Sequence, residues 1–151
     1  MYQFNKNLAL GHKYEDIAIT KLFGNPDDLY RPKGQFRPYD FTTGQIAYEV
    51  KSDMGSYRTG NFCIEFSFHG LPSGITTTMA DIYIFFVVYP NESYKVYIIP
   101  VCVIKKVIHE KSWTHILAQR PGHPSSCYII PISLFSDYEI DVIGSSATME
   151  C

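Results

Sequence analysis

The chain has no excess of positive charge: 13 Lys and Arg stand against 15 Asp and Glu, for a net charge of −2. That excludes a protein whose whole surface is a basic footprint for nucleic acid. It leaves room for a local one, because a metal site gathers carboxylates while nearby basic segments can still track a phosphate backbone. Long hydrophobic runs are also missing. The apolar stretch 82–88 is far shorter than the ~20 residues of a membrane-spanning helix, and the start, MYQFNKNLALGHKYED, lacks the apolar core of a signal peptide. The four cysteines, Cys63, Cys102, Cys127 and Cys151, show no CxxC spacing. They do not support a zinc site and are too few for a disulfide framework. His12, His69, His109, His115 and His123 have no metal-ligand spacing, and none adjoins a nucleophile; they read as surface or capping residues. These absences together predict a soluble, intracellular protein in the cytoplasm of the producing or infected cell, with no membrane partner.

What is present suits a single domain over 1–151, long enough to bury one core. The 12 Tyr and 10 Phe fit a strand-rich fold. They can also offer stacking surfaces to bases, although core and strand filling is the commoner use. Apolar residues at Ala9, Leu10, Ile17, Ala18 and Leu22 predict a helix over 9–23, stopped by Gly24, Asn25 and Pro26. Residues 24–38 read mainly as loop. Strands are expected at 39–43, 45–52 and 61–68, from alternation and the Thr43-Gly44 turn. A loop, or a loop leading into a short helix, follows at 69–78. The continuous apolar run 82–89 reads as a central strand covered on both faces. Pro90-Asn91-Glu92 turns it into a strand at 94–99, Pro100 opens a helix to about 111, and 121–124 is loop. A strand at 127–130 and a short turn or helix at 131–135 complete the order, with a frayed tail over 144–151. No repeat or linker interrupts it. The order predicts one mixed α/β domain with helices flanking a central sheet.

The chemistry concentrates in residues 39–51, YDFTTGQIAYEVK. Asp40 opens one strand, and Glu49 and Lys51 lie two apart on the next, so they share a face while Ile46, Tyr48 and Val50 point to the core. A tight hairpin brings Asp40 beside Glu49. Two carboxylates and an ammonium then meet at one sheet edge. Mg²⁺ (or Mn²⁺) takes oxygen ligands, which Asp40, Glu49 and the Val50 carbonyl can supply. Such a metal polarises a scissile phosphate and lowers the pKa of a bound water. Lys51 can orient or deprotonate that water, or neutralise charge developing on the phosphate. The same residues can also form nothing more than a surface charge pair.

This segment resembles the PD-(D/E)XK nuclease superfamily, the fold group of type II restriction enzymes, Holliday-junction resolvases and several phage nucleases. The family's Asp, Glu and Lys match Asp40, Glu49 and Lys51. Its usual Pro before the Asp is replaced by Tyr39, with Pro38 one residue earlier. The likeness extends by element order over about 9–99, and 61–65 with 70–81 is similar to small phage-type members. It implies a restriction-endonuclease-like mixed β-sheet flanked by helices, a Mg²⁺-dependent endodeoxyribonuclease, and DNA as partner. It also implies a Glu on the first helix facing the site as a metal-water contact or second metal ligand. Glu15 stands there, and it can equally be a solvated helix residue.

Ser73, Thr76, Thr77 and Thr78, opening a short helix, are candidate phosphate donors, or else ordinary cap and turn residues. Arg58, in the flexible stretch 54–61, either faces DNA or sits in an exposed connection. Glu65 can face the site or pair with a basic residue. Lys105, Lys106, Lys111 and Trp113 read as a solvated helix with one packed aromatic. A chain this short leaves little room for a separate DNA-reading domain, and cutting both strands of a duplex needs two active sites. A homo-oligomer, dimer or tetramer, is therefore expected. The alternatives are a catalytically inactive nucleic-acid-binding or structural module on the same fold, and an RNA-cutting member.

Overall fold

Seven consecutive apolar residues form the strand around which the rest is arranged, and all seven are buried. The computed structural model describes residues 2–35, 37–110, 116–117 and 124–141. Helix α1 (Tyr2–Ile17) continues as a π-helical segment, Ala18–Leu22. Then come β1 (Phe41–Thr43), β2 (Ile46–Asp53), α2 (Ser56–Thr59), β3 (Asn61–Phe68) and β4 (Leu71–Pro72). A 3₁₀ turn, Gly74–Thr76, leads to β5 (Ile82–Val88), β6 (Tyr94–Pro100) and α3 (Val101–Glu110). The chain ends with β7 (Ile116–Leu117), β8 (Ser125–Pro131), a 3₁₀ segment, Ile132–Tyr138, and β9 (Glu139–Ile140). The reading of Lys111 and Trp113 and that of the tail 144–151 lie outside the described residues.

The strands form a five-stranded sheet in the order β1-β2-β5-β6-β9 and a four-stranded sheet in the order β4-β3-β8-β7. The first is mixed: β2 and β5 run parallel and its other pairs are antiparallel. Alternation along β5 explains its unbroken apolar sequence. Ile82, Ile84, Phe86 and Val88 face a core built with Tyr14, Ala18 and Ile19 of the first helix. Tyr83, Phe85 and Val87 face a second core with Phe62 and Ile64 of β3, Ile130 of β8 and Ile104 of α3. A central strand covered on both faces has no polar side to show. The result is a mixed α/β domain with a mixed sheet flanked by helices, one of whose faces is covered mainly by the second sheet.

That second sheet departs from the single central sheet that the element order predicts, since the strand at 61–68 lies outside the sheet that holds the hairpin. The neighbour of β2 is instead β5. Asp53 accepts hydrogen bonds from the Gly55 and Ser56 N–H groups and starts α2, and Gly60, at φ 69°, ends it. This tight reversal lays β3 across the first sheet, where Phe62 stacks on Phe85 with ring centroids 4.3 Å apart. The first helix also begins at Tyr2 rather than near residue 9. Cys102 is disulfide-bonded, while Cys63 and Cys127 on β3 and β8 are thiols. No helix among the described residues is long and apolar enough to cross a membrane.

Candidate functional site

The hairpin of β1 and β2 is local and tightly specified. Thr43 pairs with Ile46 across a two-residue turn. Both turn residues, Gly44 (φ 57°) and Gln45 (φ 64°), have the positive φ that such turns require. Asp28 holds the tip, accepting hydrogen bonds from the Thr43 hydroxyl and, at 2.6 Å, from the Gly44 N–H. These bonds keep its carboxyl below the usual range. At the other end the Asp40 N–H donates to the Tyr48 carbonyl at 2.9 Å. The ladder ends at Phe41 opposite Tyr48, which leaves Asp40 and Glu49 as the next residues at its open end. The two lie close enough that the Glu49 charge acts on the Asp40 carboxyl.

Asp40 is only 8% exposed. Its Oδ2 accepts the Val50 N–H at 2.7 Å, and Arg37 Nη2 lies 3.0 Å from its Oδ1. Burial, then the charge of Glu49, push the Asp40 carboxyl up to about 6, against the pull of the Val50 N–H. The charge of Glu15 adds to the rise and that of Lys51 opposes it. Within a strand, the N–H and C=O of one residue point to the same side. The Val50 carbonyl therefore points, like its N–H, toward the edge where the β1 ladder gives out.

Lys51 Nζ lies 2.5 Å from Glu49 Oε1 and 5.9 Å from the centroid of the Tyr83 ring. Crowding disfavours its charge, yet the Glu49 carboxylate outweighs that and raises the Lys51 pKa. The lysine stays charged on a side chain that is still 43% exposed. Glu49 pairs in register with Tyr83 of β5, and Lys51 with Phe85. Burial raises the Tyr83 pKa, Lys51 pulls it the other way, and its hydroxyl shares a hydrogen bond with Thr78.

Glu15 is buried at one remove from this pair. It accepts from Arg31 Nη2 at 2.8 Å and from Arg37 Nη2 at 2.8 Å, with His12 Nδ1 at 3.6 Å. Burial works against its ionisation, but the two arginines win and hold its carboxyl below the ordinary value. Arg37 thus joins Glu15 to Asp40 through one nitrogen. Arg31 and Arg37 were not singled out in the sequence, where both sit in a loop with several other charges. The one available signal was Arg37 three residues before Asp40.

The loop 70–81 lies against the site although β3, which precedes it, belongs to the other sheet. The Met79 N–H donates to the Pro38 carbonyl and the Asp81 N–H to the Ala47 carbonyl. A cavity of about 520 Å³ is lined by Arg37 and Glu49 on one side and by Ser73, Gly74, Thr77, Thr78 and Met79 on the other. The hydroxyls are largely engaged. Ser73 Oγ donates to Glu65 Oε1 at 2.8 Å, Thr76 Oγ1 to the Phe66 carbonyl at 2.9 Å, and Thr78 Oγ1 accepts the Ala80 N–H. Glu65 also accepts from Ser125 Oγ, so it faces Ser73 and Ser125 rather than a basic residue. The expected short helix is a three-residue 3₁₀ turn that ends, rather than starts, at the Thr77 position, and Ser73 does not cap it. Arg58 is exposed on α2 and does not line this cavity.

Asp40, Glu49 and the Val50 carbonyl offer the oxygen donors that a hard divalent cation takes, with water completing the shell. Two neighbouring carboxylates, one buried and drawn toward its protonated form, are what such a cation would relieve. Among the described residues no three His, Cys, Asp or Glu side chains are grouped as a cation site. Comparison with protein-family models, with curated proteins and with solved structures gives no match.

Proposed function

We propose that this chain is a metal-dependent nuclease of the PD-(D/E)XK type that cleaves DNA phosphodiester bonds internally. The observation that carries the reading is the placement of Asp40 and Glu49 at the open end of one hairpin, with Lys51 on the same face and the Val50 backbone turned to the same edge. Asp40, Glu49 and the Val50 carbonyl would hold Mg²⁺ or Mn²⁺. Bound there, the metal supplies a polarised phosphate and a more acidic water. Lys51, charged and partly open to solvent, is placed to orient the attacking water or to offset charge growing on the phosphate. Glu15 is a positioning residue: it fixes Arg37, whose remaining N–H donors can meet a phosphate oxygen. Cleavage of both strands of a duplex would require two copies of the chain.

A second reading is a nucleic-acid-binding or structural module without catalysis. It is favoured by the closed ion pairing, in which Arg31, Arg37 and Lys51 already pair with Glu15, Asp40 and Glu49. Incubation with supercoiled, linear, single-stranded and branched DNA, and with RNA, separates the two. The nuclease reading expects Mg²⁺- or Mn²⁺-dependent cutting that chelation abolishes, and binding with little cutting in Ca²⁺. Intact substrates under every condition, with binding retained, establish the module instead.

A further inference from the structure

Three large apolar side chains are exposed around the cavity that holds Glu49: Phe68 at 45%, Leu71 at 69% and Met79 at 69%. Single exposed apolar residues are ordinary, but a cluster at the mouth of one cavity marks a ligand surface. The cavity is amphipathic along its length. The inner end has the Arg37 guanidinium, the Glu49 carboxylate and the Tyr83 ring, and the outer end has the apolar rim. Its volume, about 520 Å³, falls in the ~300–1,000 Å³ range of sites that enclose one small ligand. A base pair still stacked in a duplex cannot enter it.

We infer that this cavity takes a single unpaired nucleobase next to the phosphate that is cut, so that the substrate is a single strand or a locally unpaired stretch of a branched one. The inference rests on the nuclease reading for the position of the phosphate. The ligand must have an apolar, polarisable face and an anion about one nucleotide away. A nucleobase and its phosphate have both. The face lies on Phe68 and against the thioether of Met79, contacts that every base can make. The anion reaches Arg37, where two acidic residues share a guanidinium that has five N–H donors. Gly74 keeps the loop seated along the cavity: it has φ +53°, and a Cβ there would lie 2.2 Å from the Glu65 carbonyl oxygen. The recognition is therefore by shape and stacking, without sequence preference.

The test uses the full chain in Ca²⁺, with fluorescence anisotropy of a short labelled single strand, the same strand in a blunt duplex, and a single strand carrying abasic residues. Wild type should bind the single strand about tenfold or more tighter than either of the others, the range expected for stacked bases. Leu71→Ser with Met79→Ser, both at exposed positions, should remove most of that preference while the melting temperature stays unchanged. Equal affinity for the three probes overturns the proposal, and the abasic probe alone decides it if the variant does not fold. If the double variant turns a dimer into a monomer and leaves DNA affinity unaltered, the rim belongs to a second copy of the chain and the proposal is again overturned. Failure of the nuclease reading looks different, as an absence of Mg²⁺- or Mn²⁺-dependent cutting whatever the probes show.

Discussion

Replacing Asp40 by Asn separates a cation site from a structural ion pair. The Asp40 carboxyl lies at about 6, against an ordinary 3.8. At about 1.4 kcal/mol for each tenfold in the protonation equilibrium, its ionised form costs the fold about 3 kcal/mol. The sign follows from proton counting: between these two values the folded state holds more protons than the unfolded chain, so wild-type stability falls as pH rises through that window. Asn carries no charge to bury and still accepts the Val50 N–H. It loses the contact with Arg37, worth about 1 kcal/mol because that arginine keeps Glu15. Asp40→Asn should therefore stabilise the metal-free protein at alkaline pH by about 1–2 kcal/mol, a rise of about 2–8 °C in melting temperature. Near pH 4, where wild type keeps its proton, the two should melt nearly together. Added Mg²⁺ or Mn²⁺ should raise the wild-type melt and leave the variant's unchanged. The assay is differential scanning calorimetry from acid to alkaline pH, with and without metal. A variant destabilised by more than about 1 kcal/mol at alkaline pH without metal would make Asp40 a structural partner of Arg37 and sink the reasoning.

Lys51→Ala should remove nearly all cutting in single-turnover assays while calorimetric metal affinity holds or improves, since Glu49 is freed from its ammonium; wild-type turnover would take Lys51 out of the mechanism. Glu15→Ala should cost about 1–3 kcal/mol in a denaturant melt, because charge-assisted hydrogen bonds to a buried carboxylate are lost while Arg37 keeps Asp40 and Arg31 keeps Asp16. The carboxyl of Glu15 lies below its ordinary value, so its contribution is complete above pH 4.5 and is lost as pH falls through its folded value. A melt insensitive to Glu15→Ala at neutral pH would refute the burial argument. Gly74→Ala combines a left-handed backbone with a clash against the Glu65 carbonyl and should cost about 2–5 kcal/mol; a loss below about 0.5 kcal/mol would show that the loop moves freely away from β3.

Local features of the fold were legible, and distant pairings were not. The strands 61–68, 82–88 and 94–100 and the helix after Pro100 carry their own alternation, apolar runs or Pro signals, and the structure has them close to where the sequence places them. Residues 2–8, YQFNKNL, have no helical apolar stripe and no capping residue, so the early start of α1 was hidden. The parallel pairing of β2 with β5 and the departure of β3 depend on contacts tens of residues apart, for which no local pattern exists. The site divides along the same line. Asp40, Glu49 and Lys51 come together through a two-residue turn and could be read directly. Arg37 is close in sequence but lies in a loop, and Tyr83 arrives through the parallel pairing. The hydroxyls of Ser73 and Thr76 looked like donors awaiting an anion. Composition cannot show that a carboxylate and a backbone carbonyl already accept from them.

The hairpin that assembles the carboxylates is mechanically lopsided. Asp40 immediately precedes an edge strand of three residues whose far side, among the described residues, pairs through an isolated bridge to Tyr30. Glu49 and Lys51 ride on a strand zipped over six paired positions to the buried β5. Opening the edge breaks a few hydrogen bonds and lifts one buried ring, Phe41, off Phe23 and Tyr48, whereas moving the inner strand means dismantling two hydrophobic cores. Amide hydrogens over Phe41–Thr43 should thus exchange with solvent well before those of β5, and a cation bound between the strands would slow the edge amides most. Half of the proposed donor set thus rides on a short edge pinned by one buried ring, and half on a strand locked into the centre of the sheet, so any adjustment to a charged ligand falls on the Asp40 side.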